Sequence, residues 1–468
     1  MRPLLVETVT GRTMAELLAA RDASRDADIV ELRLDGVGDV NVAGALANRT
    51  RPVIVTCRPS WEGGRFDGSE EERRRILTDA VAGGADYVDV EWQAGFDQLL
   101  RWTNGRRMIL SSHAFDQLPR DLEDRLRAMR SLGAEVVKIA IPARRLSDTL
   151  PLRDLTHDGA TVAIGLGASG IPSRVLAAHF GSRWTYGGDG LAPGQLPISR
   201  MLGDLRFRDV SATTAVYGVV GTMTSESKSP AIHNEWFAAA GLDAVMVPMQ
   251  APDFDDFLTF ADALPVAGAA VTIPFKLDAL RCAVRVDDEA RRVGAANTLR
   301  RGADGWEAAN TDVAGFLAPF ERGEAGPYDV KSLHNARVAV LGAGGAARAI
   351  VVALASVGAR PTVCARRVEQ ARELESLGAD VGEWPPPPGS WDVLVNCTPI
   401  GGISNPDASP LPGGPFGGRL VYDLIYRPAE TPLLREAKAA GCAAINGWPM
   451  LQAQARKQFE WWTNAVCA

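Results

Sequence analysis

No apolar run in the 468 residues is long enough to cross a bilayer. The start, MRPLLVETVT, lacks the basic-then-apolar form of a secretory signal. A soluble, cytoplasmic protein is the expectation. The six cysteines (57, 282, 364, 397, 442 and 467) are scattered, with no CxxC pair and no histidine at ligand spacing. That speaks against a disulfide framework and against structural zinc, so no metal is expected. Basic excess is also missing. The net charge of −7 gives no general attraction to nucleic acid or to an anionic membrane, so neither is expected as a partner. An anionic small molecule would need arginine and lysine gathered locally. Low-complexity segments and short internal repeats are absent too.

What is present is an ordinary globular composition, 46% hydrophobic and 23% charged, in a chain too long for one core. Residues 1–208 alternate short apolar strands with polar turns and amphipathic helices. Candidate strands are Leu4–Val9, Ile29–Leu34, Val53–Arg58, Tyr87–Glu91, Met108–His113, Val136–Ile141, Thr161–Leu166 and Arg183–Tyr186, with helices such as Asp121–Leu132 and Ser173–Phe180 between them. Eight such units predict an α/β fold that begins with a closed (β/α)₈ TIM barrel. Near residue 210 the pattern restarts with a strand at Tyr217–Val220. A Gly, Glu and Pro stretch at Glu321–Asp329 reads as a linker or exposed loop. Beyond it, Ala336–Leu341 opens a second α/β unit, and Pro449–Thr463 reads as a closing helix. The domains expected are 1–208, 212–325 completed by a C-terminal helix over 449–466, and 326–448. The restart implies that a fragment ending near Arg208 folds by itself.

In a barrel of this kind chemistry sits at the C-terminal ends of the strands. Glu31, Arg33, Arg58, Glu91, His113 and Lys138 lie at such ends, with Glu62 just after Arg58 and Arg174 following the seventh strand. Lys138 shares its strand face with Val136 and Ala140, the face that points into a barrel. Apolar surroundings there would favour the neutral, nucleophilic amine. A lysine at a strand end can also simply extend its ammonium to solvent. With His113 on the neighbouring strand, an imine-forming lysine and a general base become a working pair.

The pieces Glu31-Leu32-Arg33, Thr56-Cys57-Arg58, Glu62-Gly63-Gly64, Ser112-His113, Val137-Lys138-Ile139, Ser173-Arg174 and Ala192-Pro193-Gly194-Gln195 together resemble type I 3-dehydroquinate dehydratase across residues 1–205. The resemblance implies a lyase in which Lys138 forms the Schiff base and His113 moves the proton beside it. Glu62 joins that catalytic set, while Glu31, Arg33, Arg58, Arg174 and Gln195 bind or shape around 3-dehydroquinate. Arg174 is the expected carboxylate partner through a bidentate fork. One departure is Leu191, where the family usually carries serine.

In the second half, Val338-Ala339-Val340-Leu341 runs into Gly342-Ala343-Gly344-Gly345-Ala346 and then a helix. Glycine lets the backbone approach a pyrophosphate, and the helix N-terminus favours its charge. The next strand ends in Arg366 and Arg367, which suit a 2′-phosphate better than a bare ribose. The ordered set Ser227-Lys228-Ser229, Thr272…Lys276, Asn297-Thr298, Asn310-Thr311-Asp312, Asn396-Cys397-Thr398, Tyr422…Tyr426, Gly447 and Gln454 resembles shikimate dehydrogenase over about residues 215–465. That implies a substrate domain followed by an NADP-binding Rossmann domain. Lys276 and Asp312 are then the proton-transfer pair. Ser227, Ser229, Thr272, Asn297, Tyr426 and Gln454 hold 3-dehydroshikimate. Gly342, Ala343, Gly344, Gly345, Ala346, Arg366, Arg367, Thr398 and Gly447 contact NADP.

Departures here are Glu226 for histidine, Ala270 for asparagine, and Ala365-Arg366-Arg367 at the NADP turn. An ionised Glu226 about 4 Å from a substrate carboxylate would cost roughly 4 kcal/mol at an effective dielectric near 20. Its side chain is therefore expected to turn away, toward a cation or solvent. The two halves together imply a bifunctional lyase and oxidoreductase of the shikimate pathway. A quinate/shikimate dehydrogenase of relaxed specificity and a non-catalytic metabolite sensor are the alternatives; intact His113, Lys138, Lys276 and Asp312 weigh against the sensor.

Overall fold

The computed structural model describes residues 2–156 and 158–464. Cys467 and the last residues of the segment 449–466 lie outside them. By its contacts the chain divides into two compact units, Met1–Val266 and Ala267–Ala468. This division falls later than the restart near residue 210, because residues 213–266 make many bonds to the barrel.

In the first unit eight parallel strands run β1 (Leu4–Thr10), β2 (Ile29–Arg33), β3 (Val53–Thr56), β4 (Tyr87–Glu91), β5 (Met108–His113), β6 (Val136–Pro142), β7 (Thr161–Leu166) and β8 (Trp184–Gly188). They pair in the order β7-β6-β5-β4-β3-β2-β1-β8. The Arg183 amide, at the entry to β8, donates to the Thr161 carbonyl at 2.9 Å and draws the outer strands together. Strands covered on both faces must be apolar throughout. The barrel interior accordingly collects Val6, Ile29, Ile54, Ile109, Val136 and Ala140, with Trp184 and Tyr186 from β8. Val136 and Ala140 point inward, as their alternation with Lys138 predicts. The predicted helix Ser173–Phe180 is shorter than expected, Ile171–Val175, and continues as turns. The rest of this unit is a parallel pair, β9 (Ala215–Gly221) and β10 (Ala244–Gln250), linked by the helix Ser229–Ala239 and followed by the helix Phe254–Ala263. Asp253 caps that last helix, accepting the Asp256 amide at 2.8 Å.

The second unit opens with β11 (Val266–Val271), β12 (Ala283–Val286), β13 (Thr298–Arg301) and β14 (Trp306–Ala309), ordered β11-β13-β14-β12. Six parallel strands follow: β15 (Arg337–Leu341), β16 (Arg360–Cys364), β17 (Asp380–Gly382), β18 (Val393–Asn396), β19 (Leu420–Asp423) and β20 (Ala443–Ile445). Their order, β17-β16-β15-β18-β19-β20, is the 3-2-1-4-5-6 winding of a dinucleotide fold, whose crevice lies where the order reverses. The closing helix Trp448–Thr463 packs on the helix Asp312–Glu321. Gly315 permits the approach, since a Cβ there would lie 2.7 Å from the Gln454 Cβ. Among the described residues no helix is long and apolar enough to cross a membrane.

Candidate active sites

At the barrel mouth Lys138 is only 5% exposed. Its Nζ lies 3.1 Å from an Asp89 oxygen, 3.7 Å from Glu31 and 4.1 Å from the centre of the Tyr186 ring. The surroundings are thus an ion pair rather than the apolar wall expected from the strand pattern. Asp89 also accepts from Arg58 at 2.9 Å and from the Ser111 hydroxyl at 2.6 Å. Burial alone would raise its carboxyl, but Arg58 and Lys138 overcome that and hold it below the ordinary carboxylate range. Arg58 donates besides to Glu91 at 2.7 Å, and Glu91 pairs with the buried Arg73. Glu31 accepts from Thr8 and Thr56, each at 2.9 Å. A connected charge network therefore fixes the floor on which Lys138 stands.

His113 is held separately. Its Nδ1 and its backbone amide both meet Glu62 Oε1, at 2.8 and 2.9 Å. With Glu62 ionised, Nδ1 donates and Nε2 keeps its lone pair. Burial, reinforced by Arg58 and Lys138, pushes the imidazole well below its usual value, so it stands neutral and able to accept a proton. Burial also lifts the Glu62 carboxyl to about 7.

The three arginines differ in what they can still bind. Arg33 is closed in a fork on Asp35 at 2.8 and 2.9 Å. Arg58 is consumed by Asp89 and Glu91. Arg174 is 1% exposed and touches only the Tyr186 and Pro193 carbonyls, at 3.4 and 3.2 Å. Its Nε has no partner among the described residues. Burial with no opposing carboxylate lowers it to about 10. A buried cation of this kind is incomplete without an anion. Gln195 spends its amide on its own loop, accepting from the Ala192 amide at 3.1 Å and donating to the Gly187 carbonyl at 2.9 Å.

Also in the first unit, Ser227 and Ser229 flank the start of the helix Ser229–Ala239, and the Ser229 amide donates to the Ser227 hydroxyl at 3.2 Å. Glu226 is 46% exposed and pairs with Arg200 at 3.4 Å. It has found a cation, as expected.

In the second unit Lys276, at the start of the helix Lys276–Cys282, pairs directly with Asp312, the first residue of the helix Asp312–Glu321. Asn297 donates to the other Asp312 oxygen and to the Thr311 hydroxyl, both at 2.9 Å, and to Gln454 at 3.2 Å. Lys276, Asn297, Asp312 and Gln454 therefore form one cluster. Thr272 and Tyr426 are half-buried, the latter with its ring 6.3 Å from Trp448. Gly342 adopts φ +98, and a Cβ there would meet the Thr398 methyl at 3.0 Å. Gly344 caps the helix Gly345–Ser356 with open space around it, and a Cβ on Gly345 would lie 3.0 Å from the Lys276 Cβ. The Gly-rich turn after β15 and Lys276 are thus adjacent. Ala343 and Ala346 complete that turn. Gly447 has a steric reason, since a Cβ would come within 1.9 Å of the Leu424 carbonyl. Arg366 and Arg367 are exposed, and among the described residues neither has a carboxylate partner. An open helix N-terminus and two unpaired guanidinium groups fit a phosphorylated dinucleotide.

Sequence reasoning overlooked Asp89, Ser111 and Tyr186 in the barrel and Gln458 in the second unit, where it donates to the Asn297 carbonyl at 3.0 Å. The signal for Asp89 was available: in Tyr87-Val88-Asp89-Val90-Glu91 an acid stands two residues before Glu91, on the same face.

Residues 6–212 match the family model of type I 3-dehydroquinase, and residues 219–299 match that of the shikimate dehydrogenase substrate binding domain. The chain is 35% identical over 472 residues to the chloroplastic bifunctional 3-dehydroquinate dehydratase/shikimate dehydrogenase of Arabidopsis thaliana, covering 94% of this chain and 78% of the relative. It is 40% identical over 265 residues to the NADP(+) shikimate dehydrogenase of Halorubrum lacusprofundi, covering 53% of this chain and 93% of that one. The crystal structure of shikimate dehydrogenase from Aquifex aeolicus aligns at 30% identity with a TM-score of 0.49, over 55% of this chain and 96% of that one. With two consecutive family matches and a relative that shares nearly its whole length, the chain belongs to the bifunctional 3-dehydroquinate dehydratase/shikimate dehydrogenases.

Proposed function

We propose that two separate residue sets divide the two reactions of this bifunctional enzyme. In the barrel the Lys138 amine attacks the ketone of 3-dehydroquinate, water leaves, and an imine forms. His113, neutral and oriented by Glu62, removes a proton from the carbon beside the imine and returns it to the departing hydroxyl. Water then cleaves the imine, freeing 3-dehydroshikimate and Lys138. Arg174 holds the carboxylate, while Glu31, Arg33, Arg58 and Gln195 keep the walls in place. The observation that carries this assignment is the contrast between Arg174, buried and unmatched, and Arg58, buried and fully matched. Both terminal nitrogens of Arg58 already donate to carboxylates, whereas Arg174 has no carboxylate partner among the described residues.

In the second half, the reading from resemblance has Ser227 and Ser229 hold the carboxylate, and Thr272, Asn297, Tyr426 and Gln454 hold the ring hydroxyls. NADPH supplies the hydride that turns the ketone into shikimate. Lys276, paired with Asp312, supplies the proton to the oxygen as charge develops there. Gly342 to Ala346 would carry the pyrophosphate, Thr398 and Gly447 would also contact the cofactor, and Arg366 with Arg367 would take the 2′-phosphate. The proposed domains are 1–208, 212–325 with the closing helix, and 326–448. The cytosol is the proposed compartment, since the five described cysteines are all free, as reducing surroundings keep them.

The test is purified protein with 3-dehydroquinate and NADPH. Shikimate should appear with one NADPH consumed per molecule, and borohydride added with 3-dehydroquinate should fix substrate mass on the peptide containing Lys138. Mass on another lysine overturns the assignment of the imine.

A further inference from the structure

We propose that Asp256, contributed by the helix Phe254–Ala263 downstream of the barrel, is a positioning residue for the dehydratase. The inference rests on the assignment of Lys138, His113 and Arg174 above. Strand β6 bears Lys138 and ends at Pro142, and the chain then turns through residues 143–149 at the barrel mouth. Asp256 reaches that turn with a side chain that is 0% exposed. It accepts the Leu146 amide at 2.7 Å, the Ser147 amide at 3.1 Å and the Ser147 hydroxyl at 2.6 Å. Arg145 stands 3.4 Å from the same carboxylate and pairs with Asp253 at 2.9 Å. The turn after the imine strand is thus capped by a carboxylate from about 110 residues downstream, outside the eight barrel units. A buried carboxylate holding three donors is a strong, directional clamp.

The clamped turn reaches its neighbours. The Arg144 guanidinium donates to the Asp116 carbonyl at 3.0 Å, in the segment that follows His113. The Ser169 hydroxyl donates to the Arg144 carbonyl at 3.3 Å, in the segment that leads to Arg174. One clamp therefore touches the segments behind the base, the imine lysine and the anion-binding arginine. Such groups lose rate when their supports loosen by fractions of an ångström, even with every reacting atom present.

The test uses the full chain carrying Asp256→Ala, Asp256→Asn or Ser147→Ala, with kcat and KM for both reactions and the unfolding midpoint measured on each preparation. Asp256→Ala should lower dehydratase kcat about tenfold or more, with its KM and both reductase constants within about twofold of native. The two amides bond to different oxygens of Asp256, so Asp256→Asn keeps an acceptor for only one of them and should recover only part of the loss. Should Asp256→Ala fail to fold, Ser147→Ala removes a single bond and should still lower dehydratase kcat by about two- to fivefold. Unchanged dehydratase kcat, a change confined to KM, or a parallel fall of both activities would overturn the proposal. Borohydride labelling of the unsubstituted chain separates the two failures, since label away from Lys138 defeats the underlying assignment whatever Asp256 does.

Discussion

Each half of the molecule sets a lysine against an aspartate, and the two pairs sit in different electrostatic settings. Lys138 faces Asp89, which is already bound by Arg58 and Ser111 and so remains a fixed anion. On the proposed mechanism that pair orients the imine-forming amine, while His113 and Glu62 move the proton. Lys276 faces Asp312, whose second oxygen is held by the neutral amide of Asn297. No arginine pairs with that carboxylate among the described residues. One pair thus sits inside a network of charges, and the other is flanked by a neutral amide.

The largest expected effect separates the two lysines outright. Lys138→Ala should abolish dehydration and leave reduction of 3-dehydroshikimate at the native rate, measured on one preparation with each substrate. Loss of both activities together would mean that the halves are not independent in chemistry. Lys276→Ala should lower reductase turnover by about 10²- to 10⁴-fold with a modest change in KM, while dehydration continues. A change confined to KM would demote Lys276 to a binding residue and erase the contrast.

A smaller effect concerns the cofactor. Arg366→Glu should weaken NADPH relative to NADH by about 100-fold in kcat/KM, through loss of a charge-assisted contact that NADH never makes. Equal use of the two cofactors by the native enzyme would refute the role of Arg366.

The pH dependence sharpens the barrel side. Burial raises Glu62 to about 7 from 4.5, so the folded protein holds that proton more tightly than the unfolded chain. The stability this provides is complete below pH 4.5 and is lost as pH rises through 7. Across that window native stability should fall, relative to Glu62→Gln, by up to roughly 3 kcal/mol. Chemical denaturation of both proteins at several pH values checks this, and parallel curves would contradict it. Smallest of all, Glu226→Gln should leave KM for 3-dehydroshikimate within about threefold, because the half-exposed pair with Arg200 is worth little. A large gain in affinity would show that the carboxylate faces the substrate.

The barrel strands were legible because apolar runs bounded by turn residues are a local signal; β5 and β7 match their expected limits. The candidate catalytic residues were picked out by their order along the chain, although Lys138, read as a strand end, is the third of the seven residues of β6. The helix over Ser173–Phe180 was overestimated because its apolar residues serve burial against the barrel rather than helical continuation. Asp89 went unseen because an acid inside an apolar strand gains meaning only when Arg58 and Lys138, from other strands, arrive beside it.

Composition, periodicity and motif order were enough to determine two α/β folds, the inward face of Lys138, the Gly-rich strand-to-helix turn after β15 and the pair Lys276–Asp312. These depend on residues a few positions apart or on patterns that any chain with this period must fold to satisfy. Only the tertiary structure decided that Arg58 is already paired with carboxylates, what Lys138 faces, and that Asp256 accepts from the turn beyond β6. Each of those depends on partners tens to more than a hundred residues away, since whether a buried charge is matched is settled by the groups folding brings against it.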